Sequence, residues 1–329
     1  MVFRIVKTRR WLPAVAACAA LMGIFPTQVA LAVKPGSLLH RAAPEGGTPP
    51  AAAAAARPAP PAATPATTAS RPAYQVAERS EAAMAGGAAP QLGPGQAGEH
   101  PLMPTLRWAY SGLSNVEKLH DYSATLAKRE RIGGKVLDYE YMFLKLRHKP
   151  FSVYMYFVGP PELKGQEVLY VEGQNNGNML AHGVGIKNTV FGTLPLKPDG
   201  PIAMRNQRYP LTELGILNLT RRLVEVGEQD VKYKECEVKF YEGAKINNRV
   251  CTCIEVIHPE PRRSFLFHLA RIFVDKEYNM PIRYESYDWP KEKGGPPELI
   301  EEYTYLNLKL NNGFTDADFD TKNPNYKFR

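Results

Sequence analysis

Three carboxylates, three cysteines and an aspartate run are the residues whose types and spacing could do chemistry. Asp288 with Glu301 or Glu302 could act as the acid and base of an envelope hydrolase. Strand alternation, however, sends Glu301 and Glu302 to opposite faces, so only one of them could share a cleft with Asp288. Each reads as a solvated or ion-paired carboxylate. Cys236, Cys251 and Cys253 are disulfide candidates. Cys251 and Cys253 share a strand face. A hairpin turning near Ala244-Lys245 would set Cys236 opposite Cys253, and a small register change would favour Cys251. The three thiols lack the fourth ligand of a structural metal site, and a redox role needs an exposed thiol of low pKa. Asp316, Asp318 and Asp320 space like the start of a calcium loop. The glycine that should follow is missing, and Lys327 stands where the bidentate glutamate belongs, so the segment reads as a polar turn. His258 and His268 read as structural. No nucleophile elbow, zinc-protease helix, phosphate loop or dinucleotide fingerprint is present. The sequence therefore predicts no catalytic residue, no metal and no cofactor.

The elements that would position these residues begin late in the chain. Residues 1–10 hold four cations and no acid, Trp11–Phe25 is almost wholly apolar, and Ala30-Leu31-Ala32 offers a small-residue cleavage site. This reads as an export signal, residues 1–32, with cleavage after Ala32. The apolar run is short for a membrane span, which needs about 20 residues. A lipoprotein form processed at Cys18 is the alternative. Residues 33–100 hold 11 of the chain's 29 prolines, long alanine runs and one aromatic, Tyr74. They cannot bury enough apolar surface to offset chain entropy and read as a disordered Pro/Ala-rich linker. The net charge of +8 mostly belongs to these two segments, because residues 101–329 hold 32 basic and 29 acidic side chains. A domain so near neutrality has no electrostatic case for nucleic acid. The export signal places the protein outside the cytoplasm, in the periplasm or cell envelope.

Residues 101–329 read as one globular domain. Leu102, Leu106, Ala109, Leu113 and Val116 form one apolar stripe and predict a helix over 104–120, with Pro104 in its first turn. Ile216, Leu219, Leu223 and Val226 predict a second over 211–226, with Thr212 as cap and Gly227 as stop. Nearly everything else reads as strand: 122–132, 135–148, 151–158, 167–172, 178–183, 231–241, 249–257, 265–275, 281–289 and 299–310. Short turns separate them, which favours an antiparallel meander. Segments such as Phe151–Val158 are apolar on both faces, so both faces must be covered. The fold expected is α+β, mainly β. It is a strongly curved antiparallel sheet or half-barrel of about ten strands, with two helices covering its concave side. The residues leave both a packed and a hollow interior open. Lys128-Arg129-Glu130-Arg131 reads as a solvated strand face.

Several segments carry a family resemblance. They are Gly165–Gly173, Tyr209–Gly215, Pro281–Pro290 with its Tyr-Asp-Trp-Pro block, Glu302–Tyr305 and Asn323–Phe328. On these the chain resembles the bacterial uncharacterised domain family 1571, from Leu106 to the C terminus. It is more distantly similar to the Lol-type lipoprotein carriers and to the lipid-sensing anti-sigma-factor regulator of the envelope. That likeness implies a curved sheet plugged by helices, whose hollow holds acyl chains. The function expected is a non-catalytic extracytoplasmic binding module for lipid or an acylated lipoprotein. Its groove candidates are Phe143, Tyr154, Tyr156, Tyr170, Phe267, Phe273, Tyr284 and Trp289. A scaffold module with a filled core and an envelope protein partner, exposing an apolar patch around Tyr287–Pro290, is the alternative.

Overall fold

The computed structural model describes residues 98–184 and 192–328. The expected export signal, and all but the last three residues of the expected linker, lie outside the described residues. The first helix, α1 (Met103–Glu117), carries Pro104 in its first turn and buries Leu106, Ala109, Gly112 and Val116. Seven strands follow: β1 (Asp121–Ile132), β2 (Lys135–Val136), β3 (Glu140–Arg147), β4 (Ser152–Gly159), β5 (Glu167–Val171), β6 (Met179–His182) and β7 (Thr193–Leu196). After α2 (Ile216–Asp230) come β8 (Glu237–Ile246), β9 (Arg249–Ile257), β10 (Leu269–Asp275), β11 (Met280–Asp288) and β12 (Glu298–Leu310).

All twelve strands join one antiparallel sheet in the order β7-β6-β5-β4-β3-β1-β12-β11-β10-β9-β8, with β2 off that path beside β1. The end strands β7 and β8 do not pair, so the sheet curves without closing, as right-handed twist over so many strands demands. The expected architecture holds, with twelve strands instead of about ten. Its boundaries differ in four places. The expected strand 135–148 is broken after Val136, where the backbone turns and Tyr139 reaches across to donate to the Glu302 carboxylate at 2.8 Å. Residues 231–236 are turn and loop after the helix that ends at Asp230, residues 265–268 of the expected strand 265–275 are loop before β10, and β7 was not expected as a strand.

The second helix starts five residues later than its pattern suggested. Its cap is Gly215, with φ +114°, and the expected cap Thr212 sits in a 3-10 turn at Leu211–Glu213. A Cβ on Gly215 would come within 2.8 Å of the Leu146 side chain and 3.1 Å of the Tyr122 hydroxyl. Only glycine lets α2 land this close to the sheet. Tyr122 then accepts the Ile216 N–H at 2.9 Å, satisfying one orphan donor of the first turn. Gly227, expected as the stop, lies inside α2. A Cβ there would stand 2.7 Å from Leu106 of α1, so this glycine sets the helix–helix approach.

Each sheet face is covered differently. Tyr122, Ala124 and Leu126 of β1 share a face, by register, with Leu146, Leu144 and Met142 of β3, and with Val153, Met155 and Phe157 of β4. This face packs against Val116 of α1 and Ile216 of α2 in the main core. A second core under the helices joins Ile254, Val256, Ala270, Ile272 and Tyr284 to Leu219, Leu223 and Val226. The opposite face of β4 and β5 is covered by the C-terminal segment. There Phe319, Tyr326 and Phe328 bury Tyr154, Leu169 and Val171. This is why Phe151–Val158 is apolar on both faces.

Further along that opposite face runs a row of charge. Lys239, Glu255, Arg271, Glu285, Glu302 and Arg129 stand in register across β8, β9, β10, β11, β12 and β1. Arg271 pairs with Glu255 at 2.8 Å and Glu285 at 3.3 Å, and Arg283 bridges Glu285 at 2.7 Å to Glu302 at 2.6 Å. The alternation expected of Glu301 and Glu302 holds, but neither is solvated. Lys128 and Glu130, expected on a solvated face, are also buried.

Candidate functional site

Each carboxylate that could have served a hydrolase is engaged by a cation. Asp288 pairs with Arg131 at 2.5 Å, while Glu302 lies in the charge row on the far face. Glu301 lies under the loop before α2. There it accepts from Arg208 at 2.9 Å, from Tyr209 at 3.3 Å and from Tyr303 at 3.3 Å. Tyr303 also donates to Glu130 at 2.5 Å, and Glu130 accepts the Arg208 backbone N–H at 3.1 Å. Burial raises the Glu301 pKa, opposed by the Arg208 charge and the hydrogen bonds from Tyr209 and Arg208. This cluster fastens the loop 197–214 to the sheet.

The cysteines are also placed otherwise than the hairpin reading proposed. The turn falls at Asn247-Asn248, both at positive φ, so Ile246 faces Arg249 and Tyr241 faces Cys253. Cys236 precedes β8, one residue before Glu237, which faces Ile257. The later turn thus carries Cys236 past both partners. All three thiols are free and buried, and burial pushes each up to about 12. The aspartate run is a capped 3-10 turn. Asp318 pairs with Lys145 and Asp316 with Arg147, both at 2.8 Å.

The eight groove candidates divide between the two faces. Tyr154 lies beneath Tyr326, ring on ring at 3.8 Å, and Tyr156 packs beside it. Phe143 shares their face and is 37% exposed. Phe273 is on that face too, under the Arg283 guanidinium. Phe267 and Tyr284 are packed in the second core below the helices. Trp289 is half-buried beside His268. The patch expected around Tyr287–Pro290 is likewise half-buried. Tyr170 lines a cavity.

That cavity holds about 280 Å³ and lies where α2 meets the ends of β3 and β5. Leu146, Phe151, Tyr170, Leu214 and Leu217 give it apolar walls, and His148, Glu172, Asn218 and Arg221 supply polar groups. Arg221 is ion-paired to Glu117 at 2.9 Å near the surface. Desolvation is the largest influence on His148 and lowers its pKa, so the imidazole is neutral at pH 7. Asn218 donates to the carbonyls of Thr212 and Leu214, at 3.2 and 3.0 Å, which ties the 3-10 turn to the helix. A partly open hollow that sets apolar walls beside about as many polar groups can take an amphiphile. It presents no paired acid and base, and among the described residues no group of His, Cys, Asp and Glu is placed to hold a metal.

Sequence reasoning found Tyr170 and missed the rest. One signal was available: Gly165–Gly173 and Tyr209–Gly215 converge here. They supply Tyr170, Glu172, Thr212, Leu214 and Gly215 to the cavity lining. The others had no local mark. His148 and Phe151 flank a turn, and Leu217, Asn218 and Arg221 lie on the sheet-side edge of a helix.

Similar architectures occur among solved structures. The Mycobacterium tuberculosis lipoprotein LppX is 11% identical, over 66% of this chain and 100% of its own, with a TM-score of 0.39. A LolA superfamily protein from Nitrosomonas europaea is 11% identical, over 64% of this chain and 97% of its own, with a TM-score of 0.27. The Pseudomonas aeruginosa MucA/MucB complex matches at 11% identity, over 65% of this chain and 60% of the matched chain, with a TM-score of 0.36. At these values they carry no argument about ligand or partner. No curated protein matches the chain. The family model for proteins of unknown function DUF1571 matches residues 119–328, the whole of the sheet and α2 together with the C-terminal segment. The chain belongs to that family.

Proposed function

We propose that this chain is a non-catalytic extracytoplasmic binding module that holds an acyl-bearing ligand in the cavity between α2 and the ends of β3 and β5. The observation that carries the reading is the cavity itself. It is a hollow of mixed apolar and polar lining, left beside α2 where the two buried cores otherwise fill the helix side of the sheet. A chain seated on Leu146, Phe151, Tyr170 and Leu217 needs no polar motif. About six buried methylenes would contribute ~5 kcal/mol. Arg221, paired with Glu117 near the surface, marks the mouth, where a polar head would stay in reach of solvent. The volume fits one short acyl segment and not a multi-chain lipid, and this narrows the expectation of a wide groove. The export signal read in the sequence supports an activity outside the cytoplasm.

Displacement of a fluorescent dodecanoyl probe tests the reading. Thr212→Trp fills the cavity from the 3-10 turn and should weaken probe binding about tenfold or more, with the thermal midpoint held. Equal binding by Thr212→Trp and wild type would refute the site. Failure of the wild type to take up any acyl probe would favour the filled-core reading, in which the module acts through envelope protein contacts.

A further inference from the structure

We propose that the turn after α2 and the loop between β9 and β10 form a docking patch for an anionic lipid surface. The loop, residues 258–268, is fixed in an unusual way. Phe265 and Phe267 point inward, both buried, and Leu266 between them is 56% exposed. His258, fully buried, braces both rings. It stacks on Phe265 at 3.9 Å, contacts Phe267 at 4.8 Å and bonds the Phe267 carbonyl at 3.0 Å. The leucine is therefore held out between two buried rings that His258 braces. Beside it Tyr233 is 41% exposed and meets the Phe265 ring edge-on at 5.4 Å.

Charge around these two apolar tips favours one partner. Lys232, Lys234, Arg262 and Arg263 are exposed on the two segments, against Glu235 and Glu260. Arg262 and Glu235 neutralise each other through two contacts of 2.7 Å. The patch thus keeps a net positive charge in a domain that is otherwise near neutral. A leucine and a tyrosine ringed by lysine and arginine match the layers of an anionic membrane face: acyl boundary, interface and headgroup phosphates. The position agrees. His100 bonds the Tyr233 carbonyl at 2.6 Å, so the described N-terminal end of the domain, from Gly98, lies beside the patch. The patch is separate from the acyl cavity and does not depend on it.

Sedimentation of the full chain with phosphatidylcholine vesicles, with and without phosphatidylglycerol, tests the proposal. Comparing variants of the same full chain keeps the N-terminal segments constant. The expected result is binding that requires phosphatidylglycerol and falls about tenfold or more in Leu266→Asp. Lys234→Glu/Arg263→Glu should lose a similar factor, and added salt should abolish the difference. Leu266→Ser guards against a folding fault, since an exposed site should leave the thermal midpoint unchanged. Thr212→Trp should bind vesicles as the wild type does. Equal sedimentation of wild type and both patch variants would overturn the proposal. So would a patch that ignores vesicles and captures an acidic envelope protein instead.

Discussion

Tyr326→Ala should detach the C-terminal segment from the sheet, and the cost can be worked from its contacts. The Tyr326 ring stacks on Tyr154 with centroids 3.8 Å apart and planes 11° from parallel. Its hydroxyl donates to the Asp318 carbonyl at 2.7 Å, and the next residue's N–H reaches Glu167 at 3.0 Å. Burying such a ring removes roughly 150–250 Å² from water, and truncations of this kind cost about 3–5 kcal/mol. Phe319 and Phe328 can partly close over the gap, so about 3 kcal/mol is expected. At about 2–4 °C per kcal/mol for a domain of this size, the midpoint should fall by about 10 °C. Tyr326→Phe keeps the stack and loses only the hydroxyl bond, costing about 1 kcal/mol. Urea unfolding gives the energies, and limited chymotrypsin digestion reports release of residues 313–328. If Tyr326→Ala lies within about 1 kcal/mol of wild type and its C terminus is cut no faster, the segment is not what seals this face. Tyr154 and Tyr156 would then return as groove residues.

Two further outcomes follow from the buried titratable groups. Glu301 has a raised pKa in the fold, so the native state binds the proton more tightly than the unfolded chain. Its contribution is full below the unfolded value of about 4.5 and is lost as pH rises through the folded value. Glu301→Gln should therefore remove a downward component of the stability–pH curve above about pH 4.5, and identical slopes in urea titrations of the two proteins would contradict this. Cys236, Cys251 and Cys253, pushed up to about 12, should resist iodoacetamide at pH 8 in the native chain and all alkylate in guanidinium. Modification of any of them under native conditions would refute the burial.

How far the sequence reaches is plain from individual elements. Strand alternation was enough to separate Glu301 from Glu302, because the period of two is local. The stripe of α1 was equally legible. Apolarity on both sides of Phe151–Val158 announced a second cover, but that the cover is residues 314–328 is a contact made across more than 150 positions. The hairpin register failed for a small reason. Asn247 and Asn248 accept positive φ as readily as glycine would, so the turn settled three residues beyond Ala244-Lys245. Gly215 sits at the start of α2 because of a close approach to Leu146 and Tyr122, which no local pattern records. Lys128 and Glu130 looked solvated because cross-strand and loop contacts, which no local pattern records, decide their burial. The cavity was half legible: Tyr170 was named, whereas Leu146, Phe151 and Leu217 look like any other core residues.

The most direct test of the central claim is native mass spectrometry of the full chain, purified from its host envelope without detergent, beside Thr212→Trp prepared in the same way. The account predicts a stoichiometric adduct on the wild type that solvent extraction identifies as acyl-bearing, and its loss from Thr212→Trp. A wild-type protein of bare mass that takes up no offered acyl ligand would contradict it, as would an adduct that Thr212→Trp retains in full.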